Sequence, residues 1–127
     1  LVVDDYDDAI TFYTQKLDFI LLEDKKLSDE KRWVLLAPPG AKECCLLLAK
    51  AANEQQAAVI GNQAGGRVFM FLFTDNFLRD YETLKSRGVR FVRPPQYNDY
   101  GTVAVFEDLY GNKWDLIEPG QDNKGAL

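Results

Sequence analysis

The second half of this chain repeats the plan of the first, and no other feature constrains its fold as much. Ile10, Tyr13 and Leu17, followed by Asp18, Phe19 and Ile20, return as Tyr81, Leu84 and Val89, followed by Arg90, Phe91 and Val92. Each half then runs into two more apolar stretches separated by turn residues: Arg32 to Leu36 and Cys44 to Ala49 first, Thr102 to Glu107 and Lys113 to Glu118 second. Duplicated halves of this kind usually build one site between them. The chain contains no histidine, which removes the commonest metal ligand and the commonest general base near neutral pH.

The first repeat reads as a helix followed by three strands. Asp4 to Asp8 supply the N-cap and first-turn carboxylates that suit the positive end of a helix, and the helix runs to about Lys16 with Ile10, Tyr13 and Leu17 on its apolar face and Phe12 on the flank. Leu17 to Glu23, Arg32 to Leu36 and Cys44 to Ala49 read as strands, with Pro38, Pro39 and Gly40 as a turn. Leu1 to Val3 reads as the tail of a further strand that begins upstream. Residues 51–65, rich in Ala, Gln, Asn and Gly, read as a connection with a short helix over Ala51 to Ile60.

The second repeat opens with Arg67 to Thr74, an almost unbroken apolar run that fits a strand covered on both faces. Asp75 or Asn76 caps a helix with Phe77, Leu78, Tyr81 and Leu84 inward, and Gly88 stands where a left-handed C-terminal cap belongs. Strands Val89 to Arg93, Thr102 to Glu107 and Lys113 to Glu118 follow, the last two joined by a tight turn at Asp108 to Asn112. Arg93 to Gly101 reads as a loop. The expected fold class is α+β: two βαβββ modules forming a cupped mixed sheet within one domain over residues 1–127. Module one covers 1–50, the connection 51–65, module two 66–118 and a mobile tail 119–127.

Bulk properties narrow the function classes. Of the 127 residues, 46% are apolar and 28% charged, as in a soluble globular protein, and no apolar run approaches the length of a membrane helix. A net charge of -5 without a basic cluster argues against nucleic acid or an anionic membrane as partner. The adjacent Cys44 and Cys45 are poorly placed to bridge each other and read as reduced, buried thiols of a cytoplasmic protein.

The opening Val3-Asp4-Asp5-Tyr6, then Phe12-Tyr13 and Leu17-Asp18-Phe19, together with the closing run Phe106 to Glu118, resemble the vicinal oxygen chelate superfamily, which includes glyoxalase I, bleomycin-resistance proteins and extradiol dioxygenases. The similarity spans nearly the whole chain. Metalloenzymes of that superfamily hold a divalent ion inside a cupped sheet, typically with two His and two Glu. Carried onto this chain, the resemblance places those ligand positions on Asp115, on Phe69, on Cys45 and about two residues upstream of Leu1. Phenylalanine cannot bind a metal, and a lone thiol is a poor substitute for imidazole, so Cys45, Phe69 and Asp115 read as vestigial positions and no metal or other cofactor is expected.

If Asp115 faces the cup, strand alternation sends Ile117 inward, and the same rule applied from Phe69 sends Phe71 and Phe73 inward. Cys45 and Leu47 join this wall from module one, with Trp33, Tyr97 and Tyr100 at the rim. Such a lining suits a flat, partly apolar molecule, oriented by Asp115 and Tyr100. The competing reading has the rings fill the cup, Asp115 bonded to a neighbouring strand or Arg, and Trp33 and Trp114 packed in core or interface. A buried Asp among phenylalanines would have its pKa raised, which also makes it a conceivable general acid or base.

The residues thus favour a small-molecule binding protein of the bleomycin-resistance type, dimeric as members of that family commonly are, with Trp33, Cys45, Leu47, Phe69, Phe71, Phe73, Tyr100, Asp115 and Ile117 as ligand-binding candidates. A metal-dependent lyase or dioxygenase using Asp115, and a non-catalytic paralogue acting through protein interaction, are the alternatives.

Overall fold

The structure, a computed structural model, describes residues 1–120. It divides into two compact units, Leu1–Gly65 and Gly66–Leu127. The first contains β1 (Val2–Val3), α1 (Tyr6–Gln15), β2 (Ile20–Lys26), β3 (Arg32–Ala37), β4 (Leu46–Lys50) and α2 (Glu54–Ala57). The second contains β5 (Val68–Phe73), α3 (Phe77–Ser86), β6 (Arg90–Asn98), β7 (Gly101–Glu107) and β8 (Lys113–Pro119). The sheets have the same strand order, β1-β4-β3-β2 and β5-β8-β7-β6. Each is mixed, its first pair parallel and the others antiparallel. The fold is α+β, as the repeat implied.

Local chemistry sets the helix ends in both units. Asp5 caps α1 by accepting from the Asp8 N–H at 2.9 Å, and Asn76 caps α3 by accepting from the Arg79 N–H at 3.1 Å. At the far ends the backbone turns left-handed at Asp18, φ 60, and at Gly88, φ 83. The next residue then bonds back into the helix, Phe19 N–H to the Tyr13 carbonyl and Val89 N–H to the Leu84 carbonyl.

In unit one, α1 packs on β3 and β4, where Ala9 and Tyr13 of the helix and Val34, Leu36 and Leu48 of the sheet are all buried. Burying a side chain such as Leu36 stabilises the unit by roughly 2 kcal/mol. Arg32 ties the helix to the sheet edge: its guanidinium donates to Asp7 at 2.9 Å and to Asp24 at 2.6 and 3.1 Å, and lies 5.1 Å over the Tyr6 ring. Those two carboxylates hold the guanidinium protonated, raising its pKa further.

Unit two has an aromatic core. Phe106 stacks on Trp114 with centroids 6.2 Å apart, Phe91 meets Phe106 at 5.7 Å, Tyr81 meets Phe91 at 4.6 Å, and Phe77 stacks on Tyr81 at 5.5 Å. A Glu118 carboxylate oxygen on β8 accepts from the Phe77 N–H at 2.8 Å, which fastens the start of α3 to the sheet. The β6–β7 turn closes tightly on the end of β8, where a Cβ on Gly101 would stand 2.3 Å from the Glu118 carbonyl oxygen.

Several expectations need correction. Cys44 and Cys45 are exposed and precede β4, which begins at Leu46 because Leu46 is the last residue paired with β3. β2 starts at Ile20, since Leu17, Asp18 and Phe19 form the helix exit. β5 is not covered on both faces, for Met70, Phe71 and Phe73 are exposed; Leu78 on α3 also points to solvent. The segment read as a loop from Arg93 continues as β6 to Asn98, and its two prolines are tolerated because β6 is a sheet edge. The tail expected to be mobile lies, beyond Gly120, outside the described residues.

Candidate ligand-binding face

Strand register decides which side chains share a face, because directly paired residues project to the same side of a sheet. In unit two, Trp114, Leu116, Ala104 and Phe106 are buried on the face carrying α3. Their neighbours along the strands point the other way. On that opposite face β5 pairs Phe71 with Asp115 and Phe73 with Ile117, β7 pairs Val105 with Asp115 and Val103 with Ile117, and β6 pairs Arg93 with Val105 and Gln96 with Val103.

Two rows therefore cross the sheet. One runs Phe71, Asp115, Val105, Arg93; the other runs Phe73, Ile117, Val103, Gln96. The aliphatic centre of Val103, Val105 and Ile117 is buried. The rings at one end are not: Phe71 is 55% and Phe73 39% exposed, and they meet edge to face at 6.0 Å. Asp115 is half-buried between Phe71 and Val105. Burial among apolar groups pushes its pKa up, and the positive charge of Arg93 opposes that rise.

Phe69 does not join Phe71 and Phe73. It is the extra residue of a β-bulge, since Val68 pairs with Lys113 and Met70 with Trp114. Its ring packs edge to face on Trp114 at 6.0 Å. Tyr100 sits in the β6–β7 turn, where its hydroxyl accepts from the Asn98 side-chain amide at 3.2 Å, and Tyr97 is exposed on β6.

In unit one the corresponding face carries Trp33, Leu35 and Leu47, opposite the buried Val34, Leu36 and Leu48. Trp33 and Leu47 are exposed there. Leu35 pairs with Leu47 as Val105 pairs with Asp115, and Glu23 pairs with Leu35 as Arg93 pairs with Val105. Even the edge bulges match, at Leu22 and Val92.

This duplicated register agrees with the sequence comparisons. The glyoxalase/bleomycin resistance protein/dioxygenase superfamily model matches residues 1–116. The chain belongs to that superfamily. A relative in Shewanella frigidimarina (strain NCIMB 400) is 60% identical over 119 residues, 93% of this chain and 88% of that protein. Among solved structures, UcmS2 is 33% identical with a TM-score of 0.80 and 92% of each chain covered. TnmS3, an antibiotic binding protein from Streptomyces sp. CB03234, is 28% identical with a TM-score of 0.73, covering 94% of this chain and 93% of that one.

The positions that the resemblance marked as metal ligands fall differently in the structure. The register makes Leu47, not Cys45, the module-one counterpart of Asp115, and Cys45 lies off the strand. Phe71, not Phe69, stands beside Asp115 on β5. Neither leucine nor phenylalanine offers a donor, and among the described residues no three of His, Cys, Asp and Glu are grouped as a metal site requires.

Sequence reading missed Arg93, Gln96, Val103 and Val105 as members of this face. Alternation along Thr102 to Glu107 carried the signal for the two valines. Arg93 and Gln96 were hidden by the Pro94-Pro95 pair, which reads as loop.

Proposed function

We propose that this superfamily member binds a small, partly aromatic or apolar molecule without a metal ion, on the sheet face formed by Phe71, Phe73, Val103, Val105, Asp115 and Ile117. One observation carries the reading: two phenylalanine rings stand exposed beside a buried aliphatic floor and the half-buried carboxylate of Asp115. Exposed rings of this size cost solvation free energy unless something covers them, and flat aromatic molecules cover them well. Asp115 supplies the polar group that orients such a ligand. The antibiotic-binding activity named for TnmS3 supports sequestration of an organic molecule over its turnover.

Trp33, Leu47 and Tyr100 are the further contact candidates, and the same reading takes the protein as a cytoplasmic homodimer. Among the described residues, no helix is long and apolar enough to cross a membrane. A ligand-observed NMR screen of planar aromatic compounds tests the reading. It expects saturation transfer to ring protons of several members, and an entirely silent panel would overturn it.

A further inference from the structure

Arg93 ends the row that carries Phe71 and Asp115; Lys113 and Arg90 share this face of unit two, but Lys113 donates to the Gly66 carbonyl and Arg90 pairs with Glu107. It is exposed on the edge strand β6 and makes no hydrogen bond or ion pair among the described residues, acting only through its charge on Asp115. The row it ends places it two strands from Asp115 and three from Phe71. At the usual strand spacing these are about 10 and about 14 Å. Gln96 ends the neighbouring row on the same edge. The face is therefore polarised, with aromatic rings along β5, an aliphatic centre, and hydrogen-bond donors along β6.

We propose that Arg93 selects the ligand: the bound molecule is an elongated aromatic acid, its rings on Phe71 and Phe73 and its anionic oxygens on the Arg93 guanidinium. A guanidinium presents a fork of N–H donors that matches a carboxylate bidentately, and a charge-assisted contact of this kind outweighs a neutral one. Unit one places Glu23 at the matching position and Lys25, paired with Trp33, where unit two has Gln96, so the two edges carry their charges differently. The Gln96 side-chain amide adds a donor beside the fork. This inference rests on the aromatic-binding reading and adds the sign of charge at the ligand's far end.

Three probes of equal length separate the two ideas: biphenyl-4-carboxylate, its neutral carboxamide, and 4-phenylbenzylamine, which is cationic. Calorimetric titration of the full chain is expected to give the carboxylate about tenfold tighter binding than the carboxamide, with the amine weakest. R93Q, which should melt close to wild type because Arg93 is exposed, is expected to remove that preference, while R93K keeps part of it. Equal affinity of wild type for carboxylate and carboxamide would overturn the role of Arg93 and leave aromatic binding standing. A preference that survives R93Q would overturn it as well. No binding of any probe would overturn both.

Discussion

Asp18 and Gly88 hold the same place in the two modules: each follows its helix with a positive φ, 60 and 83, and each precedes the residue that bonds back into the helix. Glycine accepts this conformation without a Cβ penalty, and aspartate is among the few other residues that tolerate it. Gly88→Ala forces a Cβ into the left-handed region, whereas Asp18→Ala keeps the Cβ there and removes the carboxylate that makes aspartate tolerant of it. Gly88→Ala and Asp18→Ala are each expected to lower stability by about 1 kcal/mol in urea denaturation. Unchanged midpoints for both would contradict the shared role.

Two tryptophans should behave oppositely. Trp114 is 1% exposed and stacked on Phe106, whereas Trp33 is 41% exposed on the sheet face away from α1. Trp114→Ala is expected to cost about 3–5 kcal/mol or to prevent folding, and Trp33→Ala less than about 1 kcal/mol. Circular dichroism melts of the two variants decide it, and similar losses would show that Trp33 is packed more firmly than its exposure indicates.

Asp115 and Asp80 shift in opposite directions, and the sign of each pH effect follows. Burial raises the pKa of Asp115 against the pull of Arg93, so the native state holds that proton more tightly than the unfolded chain and the ionised form is a cost. That cost is fully present above the folded pKa and disappears below the unfolded value. D115N is therefore expected to raise Tm at about pH 7 and to match wild type near about pH 3.

For Asp80, burial acts upward but is outweighed by hydrogen bonds from Arg79 and Thr74 and by the charges of Arg79 and Arg87, leaving its pKa lowered. Its stabilisation is present above the unfolded pKa and lost as pH falls through the folded one. D80N is expected to lower Tm at neutral pH, with the gap closing in acid. Melts of D80N and D115N across pH test both signs, and a D115N variant less stable than wild type at neutral pH would contradict the first.

The donor set also makes a claim about metals. With Leu47 and Phe71 at the positions that flank Asp115 by repeat and by register, Ni, Zn, Fe and Mn at stoichiometric concentration are expected to leave the melting temperature unchanged. Stabilisation by one of them that D115N abolishes would show a metal centre.

How much of this was legible in the sequence depended on how local each signal is. Capping of the helices from within Asp4 to Asp8 and by Asp75 or Asn76, the left-handed exit at Gly88 and the order of elements were readable, because each is decided within a few residues; which residue caps, Asp5 and Asn76, needed the structure. The side to which Phe69 points was not. The bulge inserts one residue without altering the hydropathy pattern, so alternation counted from Phe69 fails at Met70, while Phe71 and Phe73 keep the face shared with Asp115 and Ile117. Cys45 failed similarly: an apolar run continues through it, yet pairing with β3 stops at Leu46. Arg93 escaped notice because prolines signal a loop from sequence but are permitted on an edge strand.

The most direct test of the account is isothermal titration of an aromatic ligand, taken from the NMR screen, into wild type and into the Phe71→Ala/Phe73→Ala double variant. Both rings are exposed, so the variant should fold and melt close to wild type. Loss of affinity by about tenfold or more, at unchanged fold, is the expected result. Equal affinity in the double variant would mean that the ligand binds elsewhere and that this face is not the site.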